Sequence, residues 1–600
     1  MDLHPIQARP TDAEREAVDR LLGPPPASDP PAGLRDAQSR RHLLLPALHA
    51  VQSRAGWISP GGLGYVCARL HVPPAEGYGV ASFYALLSLE EQPPAVVHVC
   101  DDIACKAAGA DALIAALGPE GKTGHGSAWH RSPCLGLCEQ APAAMLVASG
   151  EHPLECSWGH ATAENVNVAL CYKAPFAPAR MALPQTDRSG LRLLRRVGIV
   201  DPGSLDDYRA HGGYEALRRA FDLGPSGVIR EVTESKLVGR GGAAFPTGRK
   251  WDAVARATVR PHYLVCNADE SEPGTFKDRV LMEDDPFALI EAMTLAGFAT
   301  GSEKGFLYIR GEYPLAAARL AHAAERARER GLLGDDVMGR GVRFDLEIRR
   351  GAGAYICGEE TALFNSIEGF RGEPRNKPPF PVEVGLFGKP TCVNNVETLV
   401  STLDVLSAGS AAYAALGSAG SSGTKLFCVS GQVQRPGVYE VPFGTRLDAL
   451  IALAGGVREG RRLQTVLLGG AAGSFVRPDE LATPLTFEDM RRIGATLGSG
   501  VVLVFDDSTA ILPVLARIAA FFRDESCGQC VPCRVGTVRQ EELVSRLVRG
   551  RPLGSVATER QLLGELGQVM RDASICGLGQ TASSAITSAL DKLALLPEAP

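Results

Sequence analysis

The sequence predicts a multidomain α/β and α+β chain, and three observations predict it. At 600 residues the chain is longer than one hydrophobic core serves, since cores stop growing at roughly 250–300 residues. Short apolar runs of strand character alternate with stretches of helical spacing along most of it. Apolar residues make up 45% and charged residues 22%, near the globular average, which excludes a disordered chain or a coiled coil. No run of about 18 uncharged apolar residues occurs; Gly500 to Phe505 is far too short, so no membrane span is expected. Met1 to Pro10 lacks a charged-then-apolar leader, so a cytoplasmic protein is expected. The 62 basic and 68 acidic residues leave a net charge of −6, a balance unsuited to holding nucleic acid.

The elements follow in chain order. Residues 1–40 read as an arm with proline runs, in which Thr11 and Glu14 form a capping box for a short helix ending near Leu22. Residues 41–90 space Leu44, Leu48, Val51, Leu63, Val66, Val80, Phe83 and Leu86 helically, predicting a small helical bundle. Residues 91–172 offer a strand at Val96–Val99, a helix at Ala107–Leu117 and a strand at Met145–Ala148, the rhythm of a small α/β domain. Pro175, Pro178 and Pro184 mark 173–190 as a linker. The largest α/β region is 191–420, with strands at Tyr263–Cys266, Gly305–Ile309 and Phe344–Ile348 and helices at Pro286–Ala299 and Leu315–Arg328. Over 421–505, two strands around Pro436-Gly437 and a helix at Leu447–Ala454 predict a β-grasp-like domain of the SLBB type. Residues 506–600 read as mostly helical around a cysteine group.

There are 15 cysteines. Without a leader they read as reduced thiols, some of them metal ligands. Cys527-Gly-Gln-Cys530-Val-Pro-Cys533 with the distant Cys576 has the spacing of a 4Fe–4S site, and Gly528 and Pro532 let the loop fold tightly. A four-cysteine zinc site is the bland competitor. Cys100-x4-Cys105 and Cys134-x3-Cys138 suit two thiolates on each iron of a 2Fe–2S cluster, again with zinc as the alternative. The other seven, Cys67, Cys156, Cys171, Cys266, Cys357, Cys392 and Cys428, read as small core residues.

Between the two groups lies a glycine-rich and acidic region. Gly239-Arg-Gly-Gly-Ala-Ala-Phe-Pro-Thr-Gly248-Arg-Lys250 brings backbone N–H groups and a cation within reach of a phosphate or flavin ring. It is neither a Walker loop nor a Rossmann fingerprint. Asn267-Ala-Asp269-Glu270-Ser-Glu272 follows a predicted strand, at the strand end where open α/β sheets bind cofactors. Gly351 to Glu360 repeats that chemistry, and Asn394-Asn395-Val-Glu-Thr398 adds two amides for heterocycle edges. Each alone could be a solvated loop; together, upstream of an iron–sulfur motif, they point to a flavin and nicotinamide site.

The stretches GRGGAAFPTGRKW, NADESEPGTFKDR, GAGAYICGEE, NKPPFP, VNNVET and ESCGQCVPC resemble the flavin-bearing subunit of respiratory NADH dehydrogenase and its relatives in NAD-linked hydrogenases and formate dehydrogenases. Residues from about 40 to 170 resemble the smaller 2Fe–2S subunit of those assemblies, which implies a thioredoxin-like fold; the two are fused here. The resemblance implies FMN contacts at Gly239, Gly241, Gly242, Lys250, Asn267, Asp269, Gly358, Glu359, Asn394, Asn395 and Thr398. It implies NAD contacts at Phe245, Glu270, Glu272, Tyr355, Glu360, Lys377 and Phe380, with carboxylates that position rather than catalyse. Ala244 and Ser271 stand where the family usually has glycine. The stretches DPGSLDDYRAHGGYEAL, FFRDESCGQC and MRDASICGLGQTASSAI look most like the diaphorase subunit of cytoplasmic molybdenum- or tungsten-dependent formate dehydrogenases. The implied partner is a larger subunit carrying a molybdenum or tungsten pterin and further iron–sulfur clusters, with a dimer of heterodimers as one possible assembly. Alternatives are the diaphorase subunit of a hydrogenase, the NADH-oxidising module of complex I, or a metal-binding scaffold without catalysis.

Overall fold

A computed structural model describes residues 8–24, 40–122, 126–172, 183–186 and 188–596. Residues 1–7 and 25–39 of the expected arm and most of the expected linker lie outside them.

The capping box forms as expected. Thr11 Oγ1 accepts from Glu14 N at 3.2 Å, and Glu14 Oε2 accepts from Thr11 N at 2.7 Å, starting the helix Asp12–Leu22. Glu14 also accepts from Ser59 Oγ at 2.5 Å. Ser59 itself caps the helix Pro60–Leu70, so one buried carboxylate ties two helix starts together. The helical bundle exists as Leu44–Ala55, Pro60–Leu70 and Pro74–Ala81. Its last helix stops short of Phe83 and Leu86, which were expected to continue it. The reason is tertiary: Ala85 N donates to Gly353 O at 3.0 Å and Leu86 N to Ala352 O at 2.9 Å, so these amides serve a neighbouring domain.

The next domain is a mixed sheet of β1 (Ala95–Cys100), β2 (Gly121–Lys122), β3 (Ala128–Ser132), β4 (Ala144–Ala148) and β5 (Leu154–Trp158). Its order is β2-β3-β1-β4-β5, with β1 parallel to β3 and antiparallel to β4. Helices Ile103–Ala107, Ala110–Leu117 and Ala163–Tyr172 accompany it. This is the thioredoxin-like arrangement. β2 and β3 lack the apolar alternation that exposes a strand in sequence.

The central domain carries a wholly parallel sheet, β8-β7-β6-β9, built from β6 (His262–Ala268), β7 (Ser302–Ile309), β8 (Asp345–Arg350) and β9 (Thr391–Asn395). From β6 the chain builds outward through β7 and β8, then returns to the other side of β6 with β9. That reversal opens a crevice at the strand C-termini, where Asn267 pairs with Asn395. Helix Pro286–Thr300 is buried almost all round, which suits its nearly uncharged sequence.

A second mixed sheet follows in the order β11-β10-β14-β12-β13: β10 (Thr424–Gly431), β11 (Gly437–Pro442), β12 (Leu463–Leu468), β13 (Ser474–Val476) and β14 (Val501–Asp506). With helix Leu447–Leu453 across it, this is the expected β-grasp-like unit. Helices Ile511–Asp524, Val531–Val548, Val556–Ala573, Gly577–Thr581 and Ser584–Lys592 complete the described chain. No helix among the described residues is long and apolar enough to cross a membrane.

Two arginines of the central domain grip the thioredoxin-like one. Arg279 donates to Gly136 O at 2.9 Å and pairs with Glu139 at 2.5 Å, both side chains buried. Arg310 Nη2 donates to Cys134 O at 2.6 Å while its other arm reaches Glu270 O at 2.8 Å. A buried charge stripped of its partner costs several kcal/mol. Arg279→Ala is therefore expected to weaken the seam by about 3–5 kcal/mol, seen as an earlier first transition in calorimetry; an unchanged melting profile contradicts this.

Candidate functional site

The crevice beyond β6 and β9 is a cleft of about 430 Å3, within the usual range for small-molecule sites. Its floor begins with the glycine-rich loop, closed by Gly239 N donating to Phe245 O at 2.9 Å. Gly242 has φ +113°, and a Cβ on Gly241 would lie 3.1 Å from Asn395 Cβ, so a side chain at either position would fill the cradle. Ala244 holds φ +52°, a left-handed conformation costing a non-glycine residue about 1–2 kcal/mol. Thr398 steadies the loop from below, its Oγ1 accepting from Arg240 N at 2.8 Å.

Of the residues expected to contact cofactors, Gly241, Gly242, Asn267, Asp269, Glu270, Glu272, Tyr355, Gly358, Glu359 and Asn395 line the cleft. Asn267 Nδ2 donates to Gly358 O at 2.8 Å, joining two walls. Asn395 caps the helix Val396–Ala408 and donates to Asp278 Oδ2 at 2.6 Å. Glu359 caps the helix Glu360–Glu368 through Thr361 N and Ala362 N. The remaining expected residues stand outside the lining. Asn394 is buried and accepts from Trp251 Nε1 at 2.9 Å. Lys250 donates to Val393 O at 2.9 Å. Lys377 pairs with Glu359 at 2.8 Å and Glu360 at 2.7 Å, and Lys250 lies 3.8 Å from Glu360 and over the Phe245 ring. These contacts lead outward from Glu359 to the exposed Phe245; Phe380 is exposed as well.

The lining also includes residues that the sequence does not single out as cofactor contacts, some of them inside the stretches quoted above. Thr275, Lys277 and Asp278 follow the acidic stretch; Gly469, Ala472, Thr496, Gly498 and Ser499 come from the β-grasp domain; Gly577, Leu578 and Thr581 come from the C-terminal helices.

Charge in the cleft is mostly acidic. Burial pushes Glu272 up to about 7, although Tyr355 Oη at 2.6 Å and Ala472 N at 2.9 Å both donate to it. Burial and neighbouring Asp278 push Glu270 up, and its oxygens accept from Asp278 N and Arg279 N at 2.9 Å each. Glu270 thus closes the start of the helix Lys277–Asp284. Lys277, the sole cation in the described lining, is engaged by Asp278 at 2.8 Å and Glu397 at 2.9 Å.

This donor set fits a flavin. Asp269 Oδ2 is buried without a hydrogen-bond partner, an acceptor open to a ring imide or ribityl hydroxyl. With Lys277 engaged, a phosphate is left to the amides of the glycine turns.

Each cysteine group gathers in space. Cys527, Cys530, Cys533 and Cys576 line one small cavity, with Gly528 at φ +80° turning the loop. Four thiols around one cavity are the ligand set of a 4Fe–4S cluster. Burial pushes the Cys533 thiol up to about 12 and Cys576 up to about 11, so thiolates here depend on the metal. At the other group, Cys100 ends β1 and Cys105 sits on the helix capped by Asp102. Cys134 lies in the loop after β3, its Sγ 3.4 Å from that of Cys138. All four are buried. Ile356 and Leu578 line both the cleft and the C-terminal cage. The two sites share a wall.

Comparison with known proteins agrees with this geometry. Residues 32–155 match the thioredoxin-like [2Fe-2S] ferredoxin family, 232–403 the Nuo51 FMN-binding domain, 426–471 the SLBB domain and 513–594 the NADH-ubiquinone oxidoreductase-F iron-sulfur binding region. The chain is 44% identical over 402 residues to the second F-type subunit of NADH-quinone oxidoreductase of Rhizobium meliloti (strain 1021), covering 66% of this chain and 94% of that protein. The chain belongs to the family of NADH-quinone oxidoreductase F-type subunits. It is also 41% identical over 416 residues to the NADP-reducing hydrogenase subunit HndC of Solidesulfovibrio fructosivorans, covering 69% of this chain and 84% of that one. A solved NAD+-reducing [NiFe]-hydrogenase chain superposes with a TM-score of 0.78 at 33% identity, over 93% of this chain and 94% of that one. As a member of this family, the chain is an NAD(H)-linked oxidoreductase subunit whose domains serve FMN, a 4Fe–4S cluster and a 2Fe–2S cluster.

Cys530→Ala is expected to lose the 4Fe–4S content while the FMN content is kept. Iron and sulfide assays check this, and metal content equal to the parent protein contradicts the ligand assignment.

Proposed function

We propose that the chain is the NAD(H)-reactive diaphorase subunit of a soluble formate dehydrogenase, exchanging electrons between NAD(H) and a partner's redox centres. Bound FMN supplies the change from two-electron to one-electron transfer. The common wall of Ile356 and Leu578 between the cleft and the Cys527–Cys576 cage carries this reading, because it gives electrons a short exit. Gly241, Gly242, Asn267, Asp269, Gly358 and Asn395 hold the flavin. Glu272 and Tyr355 position the nicotinamide nucleotide at the cleft, and Lys377, Glu360, Phe245 and Phe380 steady it farther out. No proton needs to be moved by the chain for hydride transfer, so these side chains bind and orient.

The choice of formate rests on the linker and C-terminal stretches. The whole-length match to a hydrogenase chain favours a second reading, the diaphorase subunit of an NAD-reducing hydrogenase. Complex I fits the NADH-quinone oxidoreductase relatives as well. Purifying the native complex through a tag on this chain separates these. Molybdenum or tungsten with formate-dependent NAD reduction supports the first; nickel with hydrogen-dependent reduction establishes the second and overturns the first.

The acidic cleft also bears on nucleotide choice. The one lysine of the described lining is already engaged by Asp278 and Glu397, so a 2′-phosphate would be desolvated there with no free cation to pair with, at a cost of roughly 1–3 kcal/mol, about ten- to a hundredfold. NADH is expected to exceed NADPH by that factor in kcat/KM for dye reduction; equal values contradict it.

A further inference from the structure

The hairpin tip between β12 and β13, Gly469-Gly-Ala-Ala-Gly473, is not a free surface turn. Gly469 N donates to Val501 O at 3.0 Å and Gly473 N to Gly470 O at 2.9 Å, so the tip is tied to β14 and closed on itself. It meets the central domain at Glu272. Ala472 N donates to Glu272 Oε1 at 2.9 Å, while Tyr355 Oη holds Oε2 from the opposite side at 2.6 Å. Gly470 has φ +78°, and a Cβ there would stand 2.5 Å from Glu272 Cγ and 2.6 Å from Oε1. Only glycine lets the turn come this close. Glu272 is therefore fixed by two domains at once. The docking is reinforced at its flank, where Thr275 Oγ1 and Ser499 Oγ lie 2.8 Å apart.

We propose that the Gly469–Gly473 turn of the β-grasp domain is a positioning element of the nicotinamide-nucleotide site, acting through Glu272. This rests on the reading above that Glu272 contacts the nucleotide. The turn then contributes to substrate binding through Glu272: a backbone N–H and the lack of a Cβ do the work. Loss of that support should weaken nucleotide binding while leaving turnover of bound nucleotide nearly intact, the pattern of a lost interaction equal in ground and transition states.

The test is a double-mutant cycle on the intact, FMN-loaded chain. Glu272→Ala is expected to raise the KM for NADH and the calorimetric Kd for NAD+ about tenfold, as for loss of one charged hydrogen bond. Gly470→Ala is expected to raise both by a similar factor, with kcat changed less than about twofold and FMN and iron content kept. In the Glu272→Ala background Gly470→Ala should add nothing, because its target side chain is gone. Ala472→Pro, which removes the amide donor to Glu272 and also fixes φ at that residue, serves as the second variant if Gly470→Ala fails to fold. A Glu272→Ala protein with unchanged affinity would overturn the nucleotide reading and this proposal with it. A weakened Glu272→Ala protein, with the turn variants either silent or fully additive to it, would overturn the positioning role alone.

Discussion

Everything else in this fold serves one constraint: a two-electron site and a one-electron site must stand a side chain apart. Ile356 and Leu578 meet it, lining both the cleft and the cysteine cage. They come from distant parts of the chain, Ile356 from a turn of the central domain and Leu578 from the short helix after Cys576. Neither is placed by its own local structure. Their meeting requires the C-terminal helices to dock on the central domain, as they do where Tyr355 N donates to Glu525 Oε2 at 2.8 Å and the Tyr355 and Phe521 rings pack 5.0 Å apart.

The other seams follow the same logic, and they are polar. Arg279 and Arg310 hold the loop that bears Cys134 and Cys138, while Arg517 of the C-terminal helices approaches Asp102 beside Cys100. Lys425 of β10 reaches the buried Glu397 at 3.6 Å, and Leu426 N donates to the same carboxylate at 2.9 Å. Buried ionic contacts are a costly way to gain stability, but an unmatched one is costlier still, so they penalise misdocked arrangements. That property suits domains whose redox sites tolerate little displacement.

Much of this was legible in sequence where chemistry and order along the chain coincide. Cys527, Cys530 and Cys533 declare themselves by spacing, and Asn267 to Glu272 by following a strand. The helix Pro286–Thr300 showed as a long apolar stretch. What stayed hidden depends on tertiary contact. Ser499 and Ala472 are ordinary turn residues until the β-grasp domain docks on the cleft. Phe83 and Leu86 carried helical spacing, yet the adjoining amides pair with Gly353 and Ala352 of another domain. Lys250 and Asn394 lie inside the right motifs, and their hydrogen bonds run to Val393 O and Trp251 Nε1. A motif names the neighbourhood; which side of the strand a residue faces is decided by its register.

The claim that electrons leave through the shared wall is tested most directly by rapid freeze-quench of the reconstituted chain after mixing with NADH, following flavin absorbance and the electron paramagnetic resonance of the C-terminal cluster together. The account predicts that the 4Fe–4S signal rises within the first turnover, in step with reoxidation of the flavin. A flavin that stays fully reduced through many turnover times, with no 4Fe–4S signal, would contradict it.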